Sequence, residues 1–539
     1  MDRTAQHSPE IRQTTEEVEG PNMGEATPKA TGSAASTAEE SDKNFSAKVR
    51  SAVFWRSGSQ ILAQIITWGS TLAVIRILDP SDYGLFAMTQ TVMVFLAFLN
   101  GYWFAGSLIQ SDNVSQQEIR QAFGIVILLN AGLALLQILS APLVAAYYNQ
   151  PFIAQMLRVQ ALIYVATPFM IVPEVLMSRQ LDFKRQAFAN LAAAIVGALT
   201  ALLLALSGWG VWTLVAAPIA LFWTRAIGLM LAARLWVWPS FDFRGSRKML
   251  GFGSTLLASH FFWIVHSQSD IFIAGRILDP HALGLYAEAL FLAQVFAAKF
   301  VPPLNEVAFP AYARLQKEPE KLSWSFLKSM RLILLISCPL YFGLSVTAQP
   351  LVSTIFGEKW LGMVPFIQLL SLAMPFMTFQ ILFAPATNAL GAPQVTLRSS
   401  IFGALVMPIS FAIGIQFGPI GLAFAWLIGL PIFAAFTCWQ AKGVIGLTYT
   451  GLFQAIWPGI SASIAMAAVV YLFNLLALPG LANKGFENAI RLALMVMVGG
   501  ASYAGLLKIL APQSLDDIIR LVICRKAPES VEAMADTKD

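Results

Sequence analysis

Apolar runs of about 20 residues or more, each long enough to cross a bilayer, recur along the chain with short polar breaks between them. The first group lies near 53 to 78, 83 to 109, 121 to 147, 157 to 177, 187 to 206 and 211 to 233. A second group follows near 249 to 277, 283 to 309, 326 to 346, 364 to 390, 399 to 417 and 420 to 440, and two further runs near 453 to 476 and 488 to 511. The pattern predicts an all-α polytopic membrane protein of about fourteen transmembrane helices, since lipid leaves backbone groups no partner outside their own helix.

The chain ends read differently. Residues 1–48 are rich in Ser, Thr, Ala and Glu, carry Pro9, Pro21 and Pro28, and lack the basic start and apolar centre of a signal peptide. They are expected to form a disordered cytoplasmic tail. Beyond the last run, Ser514 is placed to cap a short helix with Asp516 and Asp517 in its first turn. Leu515, Ile518, Ile519, Val522 and Ile523 would share one face of it, so 512–539 is expected to be a cytoplasmic amphipathic tail along the inner leaflet.

Arg76-Ile77-Leu78-Asp79-Pro80 recurs residue for residue as Arg276-Ile277-Leu278-Asp279-Pro280, and the likeness continues through Gly84 and Gly284. Six crossings separate the copies, and an even number gives both the same orientation. The chain therefore divides into a six-helix repeat at 49–240, a second at 241–445, and two added helices at 446–511, with the repeats parallel about an axis along the membrane normal. Basic residues set the direction. Arg179, Lys184 and Arg185, then Arg234, Arg244, Arg247 and Lys248, then Arg314, Lys317 and Lys321 all fall in loops on one side, while Ser207 to Gly210 on the other carries no charge. That side is the cytoplasmic one, and both termini are expected there.

Composition agrees with immersion in lipid: 57% hydrophobic and 12% charged residues, with a mean hydropathy of +0.65, against about 25% charged in a soluble domain. The net charge of +5 comes from scattered helix-end residues, which gives a nucleic acid no basic patch to bind. Cys338, Cys438 and Cys524 form no CxxC pair and have no histidine at ligand spacing, so neither a disulfide framework nor a metal site is expected. Abundant Met and Phe suit a lipid-facing surface rather than a cofactor pocket.

Charged and polar residues within the spans carry the chemistry, because each is costly in hydrocarbon without a partner or water. Thr255, Ser259, His266 and Asp270 fall within an arc of roughly 60° at helical spacing, and Arg56, Gln60, Thr67 and Thr71 form a comparable stripe in the first span, one residue out of the loop-based register. Two readings compete: walls of a hydrated cavity, which fits better, and small polar residues packing helix on helix. Glu288, Gln294 and Lys299 lie in the eighth span, Glu174 and Arg225 in the fourth and sixth. Lys299 is either an anion ligand or the structural partner of Glu306 or Asp270. Arg56, Arg225 and Glu174 are close enough to the cytoplasmic interface to snorkel. Arg76, Asp79, Arg276 and Asp279 flank proline-stopped turns and read as structural.

No P-loop, nucleophile elbow or acidic catalytic loop is present, so neither an enzyme nor an ATP-driven pump is expected, and no cofactor. The repeated pair of segments, joined by Arg-Ile-Leu-Asp-Pro-Ser-Asp-Tyr-Gly-Leu at 76 to 85, resembles the bacterial polysaccharide transporter family, the Wzx-type flippases. Val172-Pro173-Glu174 to Phe183-Lys184-Arg185, Gly208-Trp209-Gly210-Val211-Trp212, Ser269-Asp270 through Tyr286, Phe309-Pro310-Ala311 to Leu315, and Phe356-Gly357-Glu358-Lys359-Trp360 are similar to it in the same order, over roughly 45 to 510.

The resemblance implies a V-shaped arrangement of the two six-helix bundles, as in the multidrug/oligosaccharidyl-lipid/polysaccharide (MOP) exporter superfamily. It implies a bacterial inner-membrane location and flipping of a polyprenyl-pyrophosphate-linked oligosaccharide for exopolysaccharide, capsule or lipopolysaccharide synthesis. A polymerase and a co-polymerase would be its protein partners. Headgroup ligands would then be Arg56, Gln60, Lys299 and Arg225, and cavity or ion-coupling groups His266, Asp270, Glu288 and Glu174. Two alternatives stand beside this: a MATE-like drug/cation antiporter using carboxylates such as Asp270 or Glu288, and a non-transporting scaffold of a polysaccharide assembly complex.

Overall fold

The computed structural model describes residue 55 and residues 58–100, 115–180, 182–234, 238–242, 254–477 and 486–510. Among these, twelve helices are long and apolar enough to cross a membrane. In the first half they are α1 (Gly58–Ile77), α3 (Gln116–Tyr148), α4 (Phe152–Arg179), α5 (Phe183–Leu206) and α6 (Trp212–Ala233). In the second half and beyond they are α8 (Pro280–Arg314), α9 (Pro319–Ile355), α10 (Glu358–Ala389), α11 (Pro393–Phe417), α12 (Pro419–Ile445), α13 (Tyr449–Ala477) and α14 (Phe486–Leu510). Two more polar helices complete the set, α2 (Pro80–Ala97) and α7 (Ser254–Ile277), at the places where the second and seventh spans are expected. The tails at 1–48 and 512–539, with Ser514 and Cys524, lie outside the described residues.

The two added helices α13 and α14 pack on each other and on α9, joined by Tyr503, whose hydroxyl donates to the Leu335 carbonyl at 2.6 Å. The principal apolar core is shared by both halves. Val74, Ile75, Met88 and Tyr148 from the first half meet Ala274, Leu283, Tyr286 and Trp360 from the second in one buried cluster.

The repeated turn is where the halves join. Pro80 and Pro280 each start a helix, since a first-turn residue needs no N–H partner, and the Asp279 carboxylate caps α8 by accepting from the backbone N–H of His281 and Ala282 at 2.9 and 3.0 Å. The helices so begun meet at their first turns. A Cβ added to Gly84 would stand 1.8 Å from the Pro280 carbonyl oxygen, and one added to Gly284 would stand 1.8 Å from that of Pro80. The contact is reciprocal, and only glycine permits it.

The two arginines complete the exchange. Arg76 donates to the carbonyls of Thr354 and, at 2.7 Å, Ile355, which end α9 of the other half. Arg276 donates to the carbonyls of Ala146, at 3.2 Å, and Tyr147 and to Asn149 Oδ1, at 3.1 Å, at the end of α3. Each guanidinium thus meets last-turn carbonyls at the negative end of a helix dipole. Lys359 reaches the Ile77 carbonyl at 2.8 Å and Asp79 at 3.3 Å, and Trp360 donates to the Ile75 carbonyl at 2.9 Å.

Arg76→Ala and Arg276→Ala should each cost about 1 kcal/mol of stability, the sites being exposed. Lysine should recover part of that loss, since an ammonium lacks the planar fork that spans two acceptors. Thermal unfolding of the purified protein checks this, and an Arg76→Ala, Arg276→Ala double variant that melts with the wild type would show the ties to be idle.

Candidate functional site

A cavity of about 560 Å³ lies between the halves, walled by α1, α2, α5 and α6 on one side and by α7 and α8 on the other. Where α1 and α2 face α7 and α8, the lining follows the repeat, while α5 and α6 contribute without a counterpart from the second half. Thr67 and Ser267, Ser70 and Asp270, Ala87 and Ala287, Gln90 and Leu290, and Val94 and Gln294 all contribute, each pair two hundred residues apart. The loop-based register, rather than the one-residue shift suggested by the polar stripes, is the one that the walls obey.

Asp270 and Glu288, separate in the sequence, are brought to this one cavity, and among the described lining residues there is no lysine, arginine or histidine. Asp270 is fully buried at the wall. Its Oδ2 accepts from the Tyr286 hydroxyl at 2.8 Å, its Oδ1 from the Ile271 N–H at 2.7 Å, and the Trp426 indole N–H donates to the Tyr286 oxygen at 2.8 Å. Each buried polar atom of that chain has a partner, as low-dielectric surroundings require. Glu288 is half-buried and has no hydrogen bond or ion pair among the described residues.

A second cavity of about 430 Å³ opens within the first half, between α2, α4 and α6. It shares Phe86, Gln90, Val94, Pro218 and Phe222 with the first, so one wall serves both. At its edge Arg225 grips Glu174, with Nη2 2.9 and 3.0 Å from the two carboxylate oxygens, and Gln186 Nε2 donates to Glu174 Oε1 at 3.1 Å. The two residues predicted to snorkel separately are an ion pair.

Several expectations change. His266 lines neither cavity. It is buried with its ring 5.2 Å from that of Phe433 on α12, and its Nδ1 has no hydrogen-bond partner among the described residues. The reason is rotational: α7 turns Ser267, Gln268, Asp270 and Ile271 to the cavity, which leaves His266 facing α12. Ser259 is likewise buried, and the Thr255 side chain lies outside the described residues.

Lys299 is exposed and pairs with neither Glu306 nor Asp270, whose oxygens are taken by Tyr286 and Ile271. The structural ion pair considered for it is therefore not formed. On α8 it lies about three turns, or about 16 Å, beyond Glu288 and on the same helical face, outside the lining of the cavity. Gln60 is exposed and lines neither cavity. Arg56 lies outside the described residues.

Sequence reasoning missed Gln90, Tyr286 and Trp426. Gln90, between Thr89 and Thr91 in an apolar run, could have been found from its cost in lipid alone. Tyr286 and Trp426 carried no such signal, because an aromatic residue in a membrane helix is ordinary.

The twelve long apolar helices define a multi-pass membrane protein with a cavity between its two halves. Solved structures share the fold. The chain is similar to the lipid II flippase MurJ in an inward closed conformation (14% identity, TM-score 0.64, covering 83% of this chain and 98% of that one). It also resembles an inward-facing multidrug resistance MATE family transporter of the MOP superfamily (15%, TM-score 0.53, 70% and 94%). The protein belongs to the polysaccharide biosynthesis protein family, whose profile matches residues 73–365.

Its relatives include the teichuronic acid biosynthesis protein TuaB of Bacillus subtilis, 24% identical over 79% of this chain and 88% of that protein. The succinoglycan biosynthesis transport protein ExoT of Rhizobium meliloti is 25% identical over 69% and 76%, and the lipopolysaccharide biosynthesis protein WzxC of Escherichia coli 23% over 74% and 81%.

Proposed function

We propose that the protein flips a polyprenyl-pyrophosphate-linked oligosaccharide across the bacterial inner membrane for synthesis of a surface polysaccharide. The observation that carries this is a cavity between the first-half helices and α7 and α8 in a chain belonging to a polysaccharide biosynthesis family. An unaided pyrophosphate would meet a desolvation cost of tens of kcal/mol in hydrocarbon, and a polar path between helices avoids it. The lipid tail stays in the bilayer while the headgroup uses the path.

α2 and α7 are proposed to span the membrane with the twelve apolar helices, both termini lying in the cytoplasm. The repeat-paired lining supports two parallel six-helix bundles arranged as a V. On this topology the Arg76 and Arg276 ties close the outer end. The halves then rock about the Gly84 and Gly284 contact, releasing the outer ties as the inner end closes.

Lys299, exposed and without an ion-pair partner among the described residues, about three turns inward of Glu288, is the proposed pyrophosphate ligand, assisted by Arg56. Lys299→Ala should lower flipping at least about tenfold with abundance unchanged, since no partner is orphaned. Lys299→Arg should keep part of the activity. Flipping of the lipid-linked oligosaccharide in proteoliposomes, per inserted molecule, decides. Full activity in a Lys299→Ala, Arg56→Ala variant would refute the assignment, and no flipping by the unaltered protein would refute the function. A polymerase and a co-polymerase are the proposed partners on the product side.

One observation favours a second reading. A cavity whose described lining holds two carboxylates and no basic group suits a cation, as in a drug/cation antiporter. Efflux of a cationic dye driven by an ion gradient, without oligosaccharide flipping, would select that reading.

A further inference from the structure

The second cavity is built unlike the first. Its described lining combines aromatic rings (Phe86, Tyr164, Phe222), planar amides (Gln90, Gln160) and the Glu174 and Arg225 pair, whose side chains are 20% and 27% exposed. The pair is internally neutral. A phosphate would have to compete with Glu174 for the guanidinium and leave that carboxylate unmatched in a partly buried site, while a cation would have to draw Glu174 from Arg225 at the same loss. A neutral polyhydroxyl ligand has neither difficulty. Its hydroxyl groups both donate and accept, so they can meet the guanidinium N–H groups not used by Glu174, the free lone pairs of the carboxylate, and the Gln90 amide. The C–H faces of a sugar ring match the aromatic walls.

The size and connection agree with this. A volume of about 430 Å³ falls within the range of small-ligand sites, roughly 300–1,000 Å³, and the wall of Phe86, Gln90 and Phe222 is shared with the cavity between the halves, so that the two cavities adjoin. We propose that this side cavity of the first half is a sugar subsite, which takes a ring of the oligosaccharide remote from the pyrophosphate while Lys299 holds the charged end. The proposal rests on the flippase reading and divides the substrate between two places: neutral sugar between α2, α4 and α6, and phosphate on α8.

The test uses two probes: the lipid-linked oligosaccharide extracted from the producing cell, and the same lipid trimmed to its first sugar. Both are offered to the full-length protein in proteoliposomes. The unaltered protein should bind the complete lipid at least about tenfold more tightly than the trimmed one, and equal affinity would overturn the subsite whatever the variants do. Ala97→Trp, which adds bulk to the lining of the side cavity and leaves both residues of the ion pair in place, should reduce flipping of the complete lipid at least about tenfold more than that of the trimmed lipid.

The Glu174→Arg, Arg225→Glu double variant restores the pair in reverse. A purely structural tie between α4 and α6 predicts that it recovers both substrates equally, which would overturn the proposal. A sugar subsite predicts restored thermal stability with the complete lipid still selectively impaired. If the unaltered protein flips neither lipid, the flippase reading fails rather than the subsite.

Discussion

Gly84→Ala should cost about 3 kcal/mol of stability, the upper end for overpacking, and most of the transport activity, a large effect for one methyl group. The new Cβ would lie 1.8 Å from the Pro280 carbonyl oxygen, and backbone cannot rotate away as a flexible side chain could. The helices α2 and α8 would have to part, disturbing the buried cluster that holds Leu283, Tyr286 and Trp360. Gly284→Ala should behave alike, because Pro80 presents the same obstacle. Alanine normally improves a helix by up to about 1 kcal/mol over glycine, so the sign is reversed by the contact alone. Gly132→Ala, in α3 with no atom within 4 Å of the new methyl, is the control and should be neutral or stabilising. Thermal unfolding and proteoliposome flipping measure both effects, and a Gly84→Ala protein as stable and active as the Gly132 variant would contradict the close approach.

Tyr286→Phe should be the next most damaging change, at about 2 to 4 kcal/mol. The hydroxyl stands between the Asp270 carboxylate and the Trp426 indole, so its loss leaves a buried acceptor and a buried donor unmet together. Trp426→Phe removes one donor only and should cost less. A double-mutant cycle with Asp270→Asn should show strong coupling, because the two groups share one bond. An unchanged melting temperature for Tyr286→Phe would mean that water replaces the hydroxyl.

Some of this was open to inspection in the sequence. Twelve of the expected spans followed from the apolar runs, since each run must close its own backbone hydrogen bonds in lipid. The duplicated Arg-Ile-Leu-Asp-Pro announced the two halves, and Asp270 and Glu288 were conspicuous because a carboxylate in hydrocarbon requires a reason. His266 packs on α12 while Asp270 lines the cavity because two residues four apart share a helical face only to within about 40°, and that much rotation separates cavity from neighbouring helix. The partners of Glu174 could not be seen, as Arg225 lies fifty-one positions away on another span.

What the sequence determined by itself was therefore local and periodic: membrane-spanning helices, proline-started turns, a repeat, and a list of polar groups that needed company. The tertiary structure alone decided the company. It set Arg76 on the end of α9 and Arg276 on the end of α3, pressed Gly84 against Pro280, joined Glu174 to Arg225, and left Lys299 exposed. The physical reason is that hydropathy and helical period fix how each helix forms and how its faces differ, whereas pairing depends on how helices far apart in the chain rotate and approach one another. In lipid that choice is governed by close packing and by a few polar contacts rather than by apolar burial, and neither leaves a periodic trace in one sequence.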